Sequence, residues 1–449
     1  MSSEQLELAL GERGEASGIE RSGEAEPTAC GSERSGADDL MARIVERSNL
    51  ARALKRVRQN TGRAGSDGRT VDELLPYLRD HWPAIREAVL AGTYQPSAVR
   101  QPQIPKAGGG VRALGIPTVL DRCIQQAVLQ VLQPRFDPTF SESSYGFRPG
   151  RSAHDAVCQA QRYVQSGRRW VGDVDLEQFF DRVNHDVLMG KLSQRIADHR
   201  LLRLIRRYLE AGMMANGVVQ ERQEGTPQGG PLSPLLANVL LDDVDKELDQ
   251  RGHRFVRDAD DCNVSVQSRR AGDRVREARI GLYAELRLRV NASKSAVAPA
   301  RQRPVLGFRF WITRGLVKRG LAPESLTRMK DRVRQITRRT GGRSRRRVIA
   351  ELRGYLVGWR GYFRLAETPN VFASVDQWVH HRLRALQLKQ WTRGATVYRE
   401  LRTRGVPMRG ARAAAAHTSR WWRIAGHGAL QTALPTHSFT RLGVPRLAP

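Results

Sequence analysis

The chain has 449 residues, 40% of them hydrophobic, and a formal net charge of +29. That length usually means two or three packed units, and no apolar run approaches the ~20 residues a membrane span needs. So large a positive excess calls for a polyanionic partner, with nucleic acid first and an anionic membrane surface as its competitor. The N-terminus lacks the basic, apolar, small-residue succession of a signal peptide. Cys30, Cys123, Cys158 and Cys262 are scattered without zinc-ligand spacing. These features read as a soluble protein of a reducing, cytoplasmic compartment, nucleoid-associated when bound to DNA, with no membrane partner.

Residues 1–40 carry ten acidic residues against three arginines and no sustained apolar period, the pattern of a disordered acidic tail that shields a basic body. Apolar residues then recur at helical spacing from Leu40 to Val57, and a second helix covers "VDELLPYLRDHWPAIREAVLAG". Two short strands joined by a Gly-rich turn are expected in residues 99–116, and a buried helix in 119–132. "WVGDVDL" predicts a strand that ends in an aromatic turn, residues 186–211 a helix, and "GTPQGGPLSPLLANVLLDDVDKELDQRG" a loop feeding a long helix. "HRFVRDADDCNVSVQS" predicts two strands around an acidic turn, followed by a helix over 270–288 and strands in "LRVNASKSAV" and "PVLGFRFWI". The body is therefore α+β with few, separated strands. Beyond Leu316 the chain becomes helical, arginine-rich and aromatic, and the last forty or so residues read as a small basic appendage.

The acidic turn carries the chemistry. Two adjacent carboxylates, Asp260 and Asp261, repel each other and favour protonation of one, a preference that a divalent cation reverses. Asp175, at the end of its own strand, would complete three carboxylates able to hold two Mg²⁺ ions, the arrangement that activates an attacking hydroxyl and neutralises a leaving pyrophosphate. Alternation puts Asp173 on the same face, so spacing leaves both open for the strand-end role. A solvated turn is the plain alternative for "DADD".

"IPKAGGGVRALGIPTVLDRCIQQAVLQVLQP", "SSYGFRPGRSAHDAV", "DVDLEQFFDRVNHDVLM", "GTPQGGPLSPLLANVLLDDVDKEL", "FVRDADD", "LRVNASKS" and "VLGFRF" follow one another in order. In this succession the chain resembles the group II intron reverse transcriptase and maturase family, from about Leu40 to its end. The resemblance implies a right-hand polymerase, with fingers and palm over 41–315, a helical thumb and maturase domain over 316–405, and an appendage over 406–449. It implies that Asp175, Asp260 and Asp261 hold the metals and that Phe180 gates against a 2′-hydroxyl. Gln228 of "PQGG" would then contact the incoming nucleotide, Lys106 and Arg112 would clamp its triphosphate, and Lys294 would match the family's late palm lysine. Arg148 and Arg151, among the aromatics of "SYGFRPGRS", are expected on the template.

The implied activity is RNA-directed DNA polymerisation from a primer 3′-hydroxyl with dNTPs. The implied partners are intron RNA or another RNA template and a DNA target. No Cys/His cluster follows the thumb, so the endonuclease domain of some relatives is not expected. Tyr355, Trp359, Tyr362 and Phe363 predict a packed helical face, and His380 and His381, being neighbours, cannot both face one metal from a regular helix. One departure stands out: Asp258 occupies the position where the family carries an aromatic, usually Tyr. An extra carboxylate there repels a primer phosphate unless Arg257, another arginine or a metal offsets it. The rival reading is an RNA-binding splicing cofactor with impaired polymerisation.

Overall fold

The computed structural model describes residues 39–105, 111–215, 218–227 and 229–448. The chain forms two compact units. The first reaches Ala156 and resumes over Trp170–Val297, and the second comprises Val157–Arg169 and the chain from Ala298 onward. The expected acidic tail lies outside the described residues except for Asp39 and Leu40. Asp39 caps the helix Leu40–Ile44 by accepting from the Ala42 N–H at 3.1 Å.

In the first unit, the helices Val119–Phe136 and Ser233–Gln250 are largely buried, and the carboxylates they bury, Asp121 and Asp245, accept hydrogen bonds there. The expected single helix over 186–211 is two, His185–Ser193 and His199–Glu210. Asp198 divides them: its carboxylate accepts from the Arg200 and Leu201 N–H groups and starts the second helix.

The strands follow in chain order. β1 (Val99–Arg100) pairs in parallel with β5 (Met213–Ala215), which pairs antiparallel with β6 (Val218–Gln220). β2 (Gln103–Pro105) and β3 (Val111–Ala113) form an antiparallel hairpin. The four-stranded sheet that matters most has the order β7–β8–β4–β9, from Arg254–Asp258, Asp261–Val266, Trp170–Asp173 and Ala296–Pro299. Helix Arg269–Glu285 lies close on it because a Cβ at Gly272 would stand 2.4 Å from a Val297 methyl. "LRVNASKSAV" yields less strand than expected, since only Val290 bridges, to Leu176, before β9 begins.

From Ala298 onward the second unit holds the hairpin β10 (Phe308–Thr313) and β11 (Leu316–Leu321). The sequence-based boundary at 315/316 falls in the turn of this hairpin, and paired strands stay in one unit. Long helices follow over Pro323–Ile336, Arg345–Tyr362 and Pro369–Trp391. Trp359 and Phe363 pack with Phe308 and Phe372 as the core face of this unit, with Tyr355 half-buried and Tyr362 more exposed at its margin. His380 stacks on Phe439, and His381 Nε2 donates to the Trp422 carbonyl, so both histidines serve packing.

Candidate active site

The β7–β8 hairpin closes through two residues, Ala259 and Asp260, and sets Asp258 opposite Asp261. Ala259 has φ of +60°, a left-handed conformation that two-residue hairpins normally give to glycine. The turn therefore holds strain at the point where the carboxylates are displayed. β8 pairs with β4 on its other side, with Asp173 opposite Asn263, so Asp173 and Asp261 stand on neighbouring strands near the same end.

Asp175 lies two residues past β4. Its N–H donates to Ser295 Oγ at 3.0 Å and its carbonyl accepts from the Asn291 N–H at 2.8 Å. The "NASKS" turn thus pins the Asp175 backbone, and Lys294 Nζ comes within 3.8 Å of its carboxylate. Both ends of this ion pair are open to water, so it contributes little to stability.

Crowding dominates the electrostatics. Desolvation against the surrounding chain, then the charge of Asp173, with Asp260 and Asp258 adding to it, pushes the Asp261 carboxyl up to about 7, against a lowering hydrogen bond from Asn263. Solvent still reaches the residue, which moderates the energetic weight of the shift. Burial raises Asp258 as well, and Asp260 adds to the rise while Arg257 opposes it. Among the described residues no three His, Cys, Asp or Glu side chains are gathered closely enough to hold a metal ion. The carboxylates Asp175, Asp260 and Asp261 are nonetheless hard oxygen donors on adjoining backbone, and the mutual repulsion at Asp261 is of the kind a divalent cation relieves.

A buried network supports the turn from beneath. The Arg257 guanidinium, 1% exposed, binds both carboxylate oxygens of the fully buried Asp245 at 2.6 to 2.8 Å. It also donates to Asn238 Oδ1 (2.9 Å), Ser144 Oγ (2.7 Å) and the Ala259 carbonyl (2.9 Å). Asn238 in turn donates to the Gly146 carbonyl at 3.0 Å, and the Tyr145 N–H to the Arg257 carbonyl at 2.8 Å. One arginine thus ties the long helix, the "SYGF" loop and the strained turn together. A Cβ at Gly146 would meet Ala259 N at 2.2 Å and Asp258 Oδ1 at 2.5 Å, so only glycine fits there. Sequence reading missed this role: a basic residue in a basic chain looks like a solvent-facing cation.

The other expected site residues divide. Phe179 is buried and meets Phe180 edge-on at 5.2 Å, while Phe180 is half-buried. The Thr226 N–H donates to the Phe180 carbonyl at 2.7 Å, which brings the loop before "QGG" against the aromatic turn. Gln228 and Lys106 lie outside the described residues. Arg112 sits in β3 with its backbone opposite Ile104. Arg148 is turned inward, donating to the Asp137 carboxylate and to the carbonyls of Asp137, Ser141 and Ser144. Arg151 pairs with Glu142, donates to its carbonyl at 2.7 Å and lies over the Tyr145 ring. Both arginines brace their loop in this arrangement.

The family described as "Reverse transcriptase (RNA-dependent DNA polymerase)" matches residues 104–310, and "Group II intron, maturase-specific domain" matches residues 326–405. This chain belongs to the group II intron reverse transcriptase and maturase family. It is 38% identical to Protein YkfC of Escherichia coli (strain K12) over 42% of this chain and 50% of that protein. It is 39% identical to group II intron-encoded protein LtrA of Lactococcus lactis subsp. cremoris over 39% of this chain and 29% of that protein. The chain thus spans half or less of the length of these relatives. Among solved structures it is similar to a chain of the "Cas6-RT-Cas1--Cas2 complex", at 26% identity and a TM-score of 0.37 over 58% of this chain and 27% of that one; that likeness is too weak to carry the fold. The reverse transcriptase match covers β2 through β9 and the start of β10 and includes the acidic hairpin, so the α+β polymerase fold lies mainly in the first unit. No helix among the described residues is long and apolar enough to cross a membrane.

Proposed function

We propose that this protein extends the 3′-hydroxyl of a primer with dNTPs on an RNA template, and that it binds intron RNA to assist splicing and mobility. The observation that carries the polymerase reading is the display of Asp260 on a strained two-residue turn and of Asp261 at the first position of β8, beside the strand that leads to Asp175. Asp175, Asp260 and Asp261 would hold two Mg²⁺ ions, which when bound activate the attacking hydroxyl and neutralise the leaving pyrophosphate. The chain's own contribution is placement: Arg257 fixes the turn, and Ser295 and Asn291 fix the Asp175 backbone.

In this reading Phe180 lies under the incoming sugar, Lys106, Arg112, Gln228 and Lys294 serve the nucleotide, and Arg148 and Arg151 shape the loop that guides the template. The first unit acts as fingers and palm and the second as thumb and maturase domain, with 406–449 as an appendage to it; the expected boundary at 315/316 gives way to one at 297/298, because β10 and β11 pair. The second reading, a splicing cofactor with impaired polymerisation, is favoured by one observation: Asp258 adds a carboxylate directly opposite Asp261. Mg²⁺-dependent primer extension on an RNA template decides between them. Extension that Asp260→Ala abolishes supports the polymerase. Absence of extension by the unmodified protein, with intron splicing still accelerated, selects the cofactor.

A further inference from the structure

Three elements of the second unit converge on a cluster of tryptophans and cations. Lys330 and Arg334, one helical turn apart on Pro323–Ile336, stand 5.9 and 5.6 Å from the ring centre of Trp378 on Pro369–Trp391. Arg382, one turn beyond Trp378, stands 5.5 Å from the same ring and 6.0 Å from that of Trp422. Trp422 is 39% exposed, meets Trp421 edge-on at 5.6 Å and rests against His381 at 4.1 Å, while Arg339 lies 4.0 Å over Trp421. Trp421 and Trp422 belong to the short helix Trp421–Ala425, beyond the maturase-specific match that ends at residue 405.

Among the described residues, most cations of this cluster have no acidic partner. Asp331 pairs with Arg334, but among the described residues no carboxylate pairs with Lys330, Arg339 or Arg382. Arg382 is held instead by neutral groups, donating to Thr337 Oγ1 at 2.6 Å and to the Arg334 carbonyl at 3.5 Å. Desolvation and then the neighbouring Arg334 charge lower its affinity for its own proton. Elsewhere in the same unit arginines do find acids, as Arg332 and Arg343 do at Glu351. Cations crowded on aromatic faces without counter-charges suit a ligand that alternates flat π-systems with anions. A duplex hides its base faces inside the stack; a single strand offers both bases and phosphates.

We propose that Trp378, Trp422, Lys330, Arg339 and Arg382 form a binding surface for single-stranded nucleic acid, with a base stacked on Trp422 and phosphates held by the cations. The inference rests on the RNA-binding reading above and adds a location that includes the C-terminal appendage. Single-stranded RNA and single-stranded DNA share this chemistry, and the intron-binding reading favours RNA.

The test uses the full chain and short oligo(U), oligo(dT) and a blunt RNA duplex, read by fluorescence anisotropy across a salt series, with primer extension run in parallel. Trp422→Ala should weaken oligo(U) binding by roughly 5- to 100-fold, the loss of one stacked base. Trp422→Phe should restore most of it, and duplex binding should be unchanged. Arg382→Gln and Lys330→Gln should each reduce the slope of log affinity against log salt by about 0.7. Weaker binding of oligo(dT) identifies RNA as the ligand, and equal binding assigns the surface to single strands of either kind. Unchanged oligo(U) affinity in both Trp422→Ala and Arg382→Gln overturns the inference, as does an equal loss of duplex binding. If those variants bind normally while the protein still extends primers, this surface fails and the polymerase reading stands. A protein that neither binds RNA nor extends primers removes the reading beneath it.

Discussion

Replacing Arg257 separates the stability of the hairpin from its use. Asp245 is completely buried and has Arg257 as its ion-pair partner, so Arg257→Met leaves an uncompensated interior charge that costs about 3–5 kcal/mol. The double change Arg257→Met with Asp245→Leu removes both charges, and apolar replacement of a buried ion pair is close to neutral or stabilising. Asn238 Oδ1, Ser144 Oγ and the Ala259 carbonyl still lose a donor, at about 1 kcal/mol each where water cannot reach them. The double variant should therefore regain only part of the lost stability, about 1–3 kcal/mol of it. Activity should not follow. Ala259 keeps its left-handed backbone without the hydrogen bond that holds it, and a displacement of about 1 Å at a reacting group costs on the order of 100-fold in rate. Urea unfolding followed by circular dichroism, beside primer extension, measures the two separately. Full polymerase activity in the double variant would show that Arg257 serves folding alone, and an Arg257→Met variant as stable as the unmodified chain would refute the buried-charge argument.

Other outcomes follow from the same geometry. In EDTA the folded state should lose stability as pH rises towards about 7, because the Asp261 carboxyl is raised to about 7 and its proton is held more tightly folded than unfolded. Thermal melts between about pH 4 and 7 should show that slope and level off above pH 7, Asp261→Asn should flatten it, and excess Mg²⁺ should offset the loss at pH 8. Asp258→Asn removes a like charge directly across from Asp261, so in EDTA it should add about 0.2–1 kcal/mol of stability, while the loss of a negative charge beside the cation site should raise the Mg²⁺ concentration for half-maximal extension; an unchanged requirement would mean that Asp258 does not act on the cation. Phe180→Ala should raise ribonucleotide incorporation relative to deoxynucleotide by tenfold or more in single-nucleotide assays, whereas Phe179→Ala should chiefly destabilise, by about 3–5 kcal/mol. Gly146→Ala should impair extension more than it lowers the melting temperature, since the added methyl strikes Ala259 N and the Asp258 carboxylate; a fully active variant would show that the turn tolerates displacement.

What sequence discloses about this molecule depends on how far apart the interacting residues lie. The acidic hairpin was legible because apolar residues flank "DADD" on both sides and two-residue turns have few forms, and the structure pairs Arg254–Asp258 with Asp261–Val266. The strand leading to Asp175 was legible for the same reason, although period-two alternation left Asp173 and Asp175 undivided. They part only in three dimensions, where Asp173 faces Asn263 across the sheet and Asp175 passes to the "NASKS" turn. Arginine was the hardest residue to read. In a chain of net charge +29 every arginine looks like a phosphate contact, yet Arg148 is buried against Asp137, Arg257 against Asp245, and Arg279 donates to the Gly172 carbonyl and the Tyr283 hydroxyl. None of these partners is adjacent in sequence. Their burial removes them from any nucleic-acid surface, so the positive charge available to a polyanion is smaller than the composition suggests and differently placed. In the first unit the buried Arg148 and Arg257 sit on aspartates; at the tryptophan cluster of the second unit, Lys330, Arg339 and Arg382 sit on indole rings without acids. The pairing of each cation, more than the sum of charges, decides where a phosphate can find one.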